Sequence, residues 1–136
     1  MEFKKFKKKR WLAHALIIPF IYTPFFAMVI LDLLMEVYHQ TGFRLCHIPR
    51  VQRSAYIRLD RQKLRYLNII EKLNCMYCGY ANGLFHYSSE IAARTEKYWC
   101  GIKHQNNGRF QEPLHHKYFI DFGDEEAFRR EYLPNS

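Results

Sequence analysis

One uncharged run constrains this chain more than any other feature. Residues 11–31 read WLAHALIIPFIYTPFFAMVIL, 21 residues without a Lys, Arg, Asp or Glu. As a helix this run would extend about 31 Å, close to the hydrocarbon thickness of a bilayer. A buried core helix of that length usually shows a polar stripe, and this run has none. Its length therefore predicts membrane insertion. A cleaved signal peptide fits less well. The run is longer than the usual ~7–15 apolar residues, and the chain continues as DLLMEVYHQ with no small-residue cleavage site.

Charge frames the run on both sides. Residues 1–10 carry six bases (Lys4, Lys5, Lys7, Lys8, Lys9, Arg10) against Glu2. Residues 44–65 carry seven (Arg44, Arg50, Arg53, Arg58, Arg61, Lys63, Arg65) against Asp60. The remainder is near balance, so the net charge of +8 lies in these two blocks. Basic flanks favour the cytoplasmic side, and here both flanks ask for it. A segment that enters and turns back satisfies both. Pro19 and Pro24 sit where each removes a backbone donor and bends a helix. A re-entrant or monotopic segment is therefore preferred over a Pro-kinked single span, which membrane helices also tolerate.

The second basic block interleaves Arg with Tyr, Phe and Leu, a pattern that can bind nucleic acid by phosphate contact and base stacking. It begins only a dozen residues after the apolar run. A juxtamembrane polybasic collar on anionic headgroups is the better reading, and nucleic acid is unlikely.

Beyond residue 39 the pattern is mainly helical with little β. Gly42 and Pro49 punctuate a loop over residues 40–54, and residues 55–59 alternate weakly, as a short strand would. Leu64, Leu67, Ile70 and Leu73 suggest a helix capped by Asp60 and ended by Asn74. Asn82-Gly83 signals a turn. A second helix over residues 88–103 follows, with Glu90 and Arg94 in the favourable i,i+4 order. Residues 118–122 suggest a short strand, and GDEEAFRREYL a last helix with acids in its first turn. The expected organisation is a basic N-terminus and membrane segment (1–38), a basic juxtamembrane loop (39–59) and a small metal-stapled helical domain (60–136).

The sharpest chemical pattern is Cys75-Met-Tyr-Cys78-Gly followed by Cys100-Gly-Ile-Lys-His104. Two thiolates at C-x-x-C spacing can grip one metal through a tight turn, and a glycine after the second permits that turn. Cys100 and His104 are four apart, so on a helix they would project from one face and could chelate one ion. Three sulfurs and an imidazole form a common closed set for structural zinc, with iron the less favoured ion. A redox dithiol is the competing reading. A shared site over Cys75, Cys78, Cys100 and His104 requires the chain to double back between the pairs. If residues 82–99 form one straight helix instead, each pair needs other ligands, such as His115 and His116 or the Cys46-His47 pair.

The strings CMYCGYANGL and EIAARTEKYWCGIKH, with the tail HHKYFIDFGDEEAF, resemble a family of short bacterial proteins of uncharacterised activity that also begin with a hydrophobic segment. The resemblance covers most of the chain, and Cys75, Cys78, Cys100 and His104 fall on its motif positions. It implies a bacterial, membrane-associated protein and no particular reaction.

The whole predicts a protein of the bacterial inner membrane with its C-terminal domain in the cytoplasm. It would be a membrane-anchored zinc-binding adaptor or assembly factor, in contact with anionic lipid and with a membrane-protein partner. The alternative is a membrane-associated redox protein or metalloenzyme, with Glu90, Glu96 and His86 as candidate groups near the metal. Four protein ligands would close the zinc and weigh against that alternative.

Overall fold

The structure, a computed structural model, describes residues 11–134. The basic block of residues 1–10 lies outside the described residues. The chain is mainly helical: α1 (Trp11–Tyr22), α2 (Pro24–Leu45), α3 (Arg53–Tyr56), α4 (Ile69–Cys100) and α5 (Glu125–Tyr132), with 3₁₀ turns at Arg61–Lys63 and Leu114–Tyr118. The β content among the described residues is one parallel bridge, Ile102 to Ile120.

No hairpin forms in the apolar segment. Thr23, between α1 and α2, keeps helical angles (φ −52°, ψ −43°), so the chain runs on in one direction. Pro24 has no N–H to offer the preceding turn, and Thr23 spans the junction, its amide and hydroxyl both donating to the Pro19 carbonyl. Residues Leu12–Leu45 form one helical stretch long and apolar enough to cross a membrane. The predicted loop over residues 40–54 therefore starts late. α2 continues through Gly42, and the chain turns at His47, which adopts a left-handed φ of 54°.

α4 is the backbone of the fold, with 32 residues in one unbroken helix. It starts later than Asp60: Asn68 accepts from the Glu71 amide and the Glu71 carboxylate accepts from the Asn68 amide, a reciprocal capping box. Residues 82 and 83 do not turn. Gly83 is buried inside the helix, and Gly79 lies one turn before it. These two glycines open a groove that admits the chain between α3 and the first 3₁₀ turn. A methyl group on Gly83 would lie 2.7 Å from the Tyr56 carbonyl oxygen and 2.8 Å from the Ile57 Cα. The segment expected to be a strand is thus the short helix α3 followed by extended backbone pressed on α4. Asp124 caps α5 by accepting from the Ala127 amide, as the acidic start of that helix predicts.

α2 packs parallel to α4 with its polar residues inward. The core joins Phe43, Val51, Tyr87 and Ile91. Below it, Arg53 grips Asp32 with both terminal nitrogens, and the Tyr80 hydroxyl donates to the same carboxylate at 2.8 Å. The opposite face of the α1–α2 stretch is bare: Leu12, Leu16, Phe20, Phe26, Ile30 and Leu34 are all exposed. At 100° per residue these positions fall within one side of a continuous helix. Charged groups turned inward and apolar groups turned outward are the reverse of the pattern in water.

Candidate metal centre

The C-terminal residues build a site at the far end of α4. After Gly101 the chain loops through residues 104–113 and returns, and the returning segment is pinned by Ile120 N–H to Gly101 O and Lys103 N–H to Ile120 O, both 2.8 Å. The loop tip is shaped by Asn107, whose side chain accepts from the amides of Arg109 and Phe110. Pro113 then starts a 3₁₀ turn that lays His115 and His116 against the last turns of α4. α5 braces the arrangement. The Tyr132 hydroxyl donates to the Lys97 carbonyl at 2.6 Å and accepts from the Gly101 amide at 3.0 Å, satisfying groups that the helix end leaves open.

Glu96 projects from α4 between the two imidazoles. Its Oε2 lies 3.1 Å from His115 Nε2 and its Oε1 3.4 Å from His116 Nε2. The three residues can each present a ligand atom with all of these atoms within 4.8 Å of one another. His116 is 2% exposed, stacked on Phe119 at 4.8 Å between ring centroids. Its Nδ1 is buried with no hydrogen-bond partner, and the nearest carboxylate oxygen, Glu112 Oε1, is 3.8 Å away. The exposed ring of His104 lies 5.6 Å from the His116 ring. Two imidazoles and a carboxylate are a donor set for zinc or ferrous iron rather than for magnesium or calcium, which prefer oxygen.

The four residues predicted from spacing are not brought together. Cys75 and Cys78 lie in the first turns of α4, and Cys100 is its last residue. Twenty-two positions separate Cys78 from Cys100 along this one helix, which is about 33 Å. In this fold the two pairs do not share an ion, because the chain does not double back between them. All four cysteines are free thiols. Of the predicted ligands, Cys100 lies one helical turn beyond Glu96 on α4, His104 lies near the His116 ring, and Cys75 and Cys78 lie toward the other end of the helix. His115 and His116, beside His104, are one of the two alternatives expected for a single straight helix; Cys46 and His47, the other, line a separate cavity with Arg94 and Tyr98. Of the other groups considered, Glu90 pairs with Arg94 at 2.8 Å, and His86 is exposed and distant in sequence from the cluster.

A second polar constellation links α2 to α4. The Val51 amide donates to His39 Nε2 at 2.9 Å, which leaves the proton on Nδ1. That nitrogen meets the Tyr87 hydroxyl at 3.0 Å, and the hydroxyl donates to Glu36 at 2.9 Å. Burial, and then the bond to Glu36, pushes Tyr87 up to about 12. Every member of this chain has a protein partner, so its evident work is to lock the helices together.

Comparison with protein-family models, with curated proteins and with solved structures found no match to this chain.

Proposed function

We propose that this protein is a membrane-anchored metal-binding module, an adaptor or assembly factor that holds one ion, zinc first, at Glu96, His115 and His116. The buried His116 carries this reading. With Nε2 bound to an ion, its partnerless Nδ1–H would face Glu112, the carboxylate–histidine–metal arrangement that orients ligating imidazoles. Without an ion, the Nε2 of this buried ring meets only Glu96, at 3.4 Å. His104, its ring 5.6 Å from that of His116, is the nearest further imidazole.

The anchor reading rests on the reversed polarity of α2. Asp32, Glu36 and His39 face α4, while Phe26, Ile30, Leu33, Leu34 and Val37 face outward. Lipid is the surrounding that stabilises such a helix. An in-plane seat fits better than an upright span. Leu59 shares a groove with Phe25, so Arg58 and its basic neighbours sit beside the α1–α2 junction. That level is about 21 Å along from the start of α1, less than the ~30 Å of hydrocarbon an upright helix must cross. Lying in the interface keeps both basic blocks on one face, the cytoplasmic one of a bacterial inner membrane.

One observation favours a metalloenzyme as the second reading: three protein donors leave a coordination position open. The test is elemental analysis of full-length protein purified in detergent, followed by cobalt substitution. One equivalent of metal, lost in Glu96→Ala and His116→Ala, supports the site; metal retained in both variants rejects it. A cobalt spectrum unmoved by azide indicates a closed structural ion, and one that shifts indicates an open, catalytic position.

A further inference from the structure

The groove that Gly79 and Gly83 cut into α4 does more than seat a loop. Beside the segment lying in it is a recess of about 240 Å³, walled by Arg58, Arg61, Asn82 and His86 and floored by Cys78. Among the described residues, neither arginine has a carboxylate within ion-pair distance, although Asp60 lies between them in sequence. Cys78 also lines a second cavity, about 280 Å³, between α4 and α1 along Ile21, Ile18 and Ile17, with His14 and Asn74 among its walls. A cationic recess and an apolar cavity therefore adjoin at one residue, Cys78, and the apolar one follows the helix that the membrane reading places in lipid. A further apolar groove of about 540 Å³ flanks Tyr77 on its other side, but no charged side chain lines it.

We propose that the recess and the adjoining cavity together bind one anionic phospholipid, its phosphate between Arg58 and Arg61 and one acyl chain passing Cys78 to lie along Ile21, Ile18 and Ile17. Two guanidinium groups make forked, charge-assisted hydrogen bonds to a phosphate, and His86 and Asn82 add donors at its edge. The apolar cavity takes a chain that a free phosphate lacks. The glycines are what make the recess: any side chain at Gly83 would push the Tyr56 carbonyl and Ile57 away, and the adjoining Arg58 with them. This assignment rests on the membrane reading above and narrows the expected headgroup contact from the whole basic block to two of its residues.

The experiment is native mass spectrometry of the full chain in a non-ionic detergent, titrated with dioleoyl phosphatidylglycerol or dioleoyl phosphatidylcholine. The expected result is one retained phosphatidylglycerol at roughly tenfold or more preference. Arg58→Gln with Arg61→Gln should abolish the preference, and Ile18→Trp should weaken both lipids by filling the apolar cavity. Lys63→Gln with Arg65→Gln removes the same charge outside the recess and should change little. Equal binding of the two lipids by the unaltered protein would overturn the site. So would an equal loss in the Lys63/Arg65 variant, or displacement by glycerol phosphate as effective as by the lipid itself. Failure of the membrane reading shows separately, as unaltered protein that is soluble without detergent.

Discussion

The Tyr87 hydroxyl donates to the Glu36 carboxylate at 2.9 Å, tying the middle of α4 to the inward face of α2. The same oxygen accepts from His39, so one atom satisfies two partners. Removing it leaves a buried imidazole N–H without an acceptor. Tyr87→Phe should destabilise the fold by about 1–3 kcal/mol, measured by chemical denaturation in detergent.

The same contact has a sign in pH. Burial and Glu36 raise Tyr87 from 10.0 to about 12, so the folded protein holds this proton more tightly than the unfolded chain does. The stabilisation is complete below pH 10 and is lost as pH rises through 12. Tyrosinate absorbance should show a late-ionising class that includes Tyr87 and Tyr80, and unfolding should accompany its appearance. A smooth single titration near 10 with the fold intact would contradict this.

Metal content should follow the Glu96 cluster and ignore the cysteines of α4. Glu96→Gln, His115→Ala and His116→Ala should each lose the ion, whereas Cys75→Ser, Cys78→Ser and Cys100→Ser should keep it. Glu112→Gln should weaken affinity about 10–100-fold without abolishing it, the usual size for a carboxylate supporting a ligating histidine. Stoichiometry by elemental analysis separates these outcomes. A cysteine variant that loses metal while keeping its helix content would reverse the assignment.

Gly83→Ala should be far more damaging than its single methyl group suggests. That methyl would stand 2.7 Å from a carbonyl oxygen and 2.8 Å from an α-carbon, and backbone cannot rotate away as a side chain can. A loss of about 1–3 kcal/mol is expected, the range for overpacking. At Gly79 the closest atom is 3.1 Å away, so alanine there should cost less. Paired melting curves of the two variants decide the order.

These glycines also explain what could be read from the sequence and what could not. Helical content, the apolar N-terminal stretch, the Glu90–Arg94 pair and the acidic start of α5 are local features, and local spacing is enough to find them. Asn82-Gly83 is an equally local turn signal, yet the helix continues through it. The gain there is tertiary: Tyr56 and Ile57 need the space that glycine leaves. Cys75–Cys78 and Cys100–His104 each have chelating spacing, but α4 ends at Cys100, so His104 lies off the helix that would present both members of its pair. The distance between the pairs depends on whether α4 breaks, which spacing alone does not decide. Glu96 comes within ligand distance of His115 and His116 through a reversal of about twenty residues, pinned by the Ile102–Ile120 bridge and Tyr132. His115 and His116 were legible as alternative ligands; their joining to Glu96 was not.

The reversed polarity of α2 supplies the remaining prediction. Ile30 and Leu34 are 59% and 64% exposed and touch none of the core, so glutamate at both should leave the fold unchanged in detergent. In a membrane the same side chains would face lipid, where an acidic residue costs up to about 2.5–3.5 kcal/mol at full depth and less at an interface. The double variant should therefore shift from the membrane pellet to the soluble fraction, or become extractable by carbonate, with its helix content intact by circular dichroism. Asp32→Leu makes the contrary change, adding an apolar group on the inward side. It strips Arg53 and Tyr80 of their shared partner, so it should unfold the protein without increasing membrane binding. If the outward glutamates leave fractionation unchanged, the bare strip faces a protein partner or water rather than lipid.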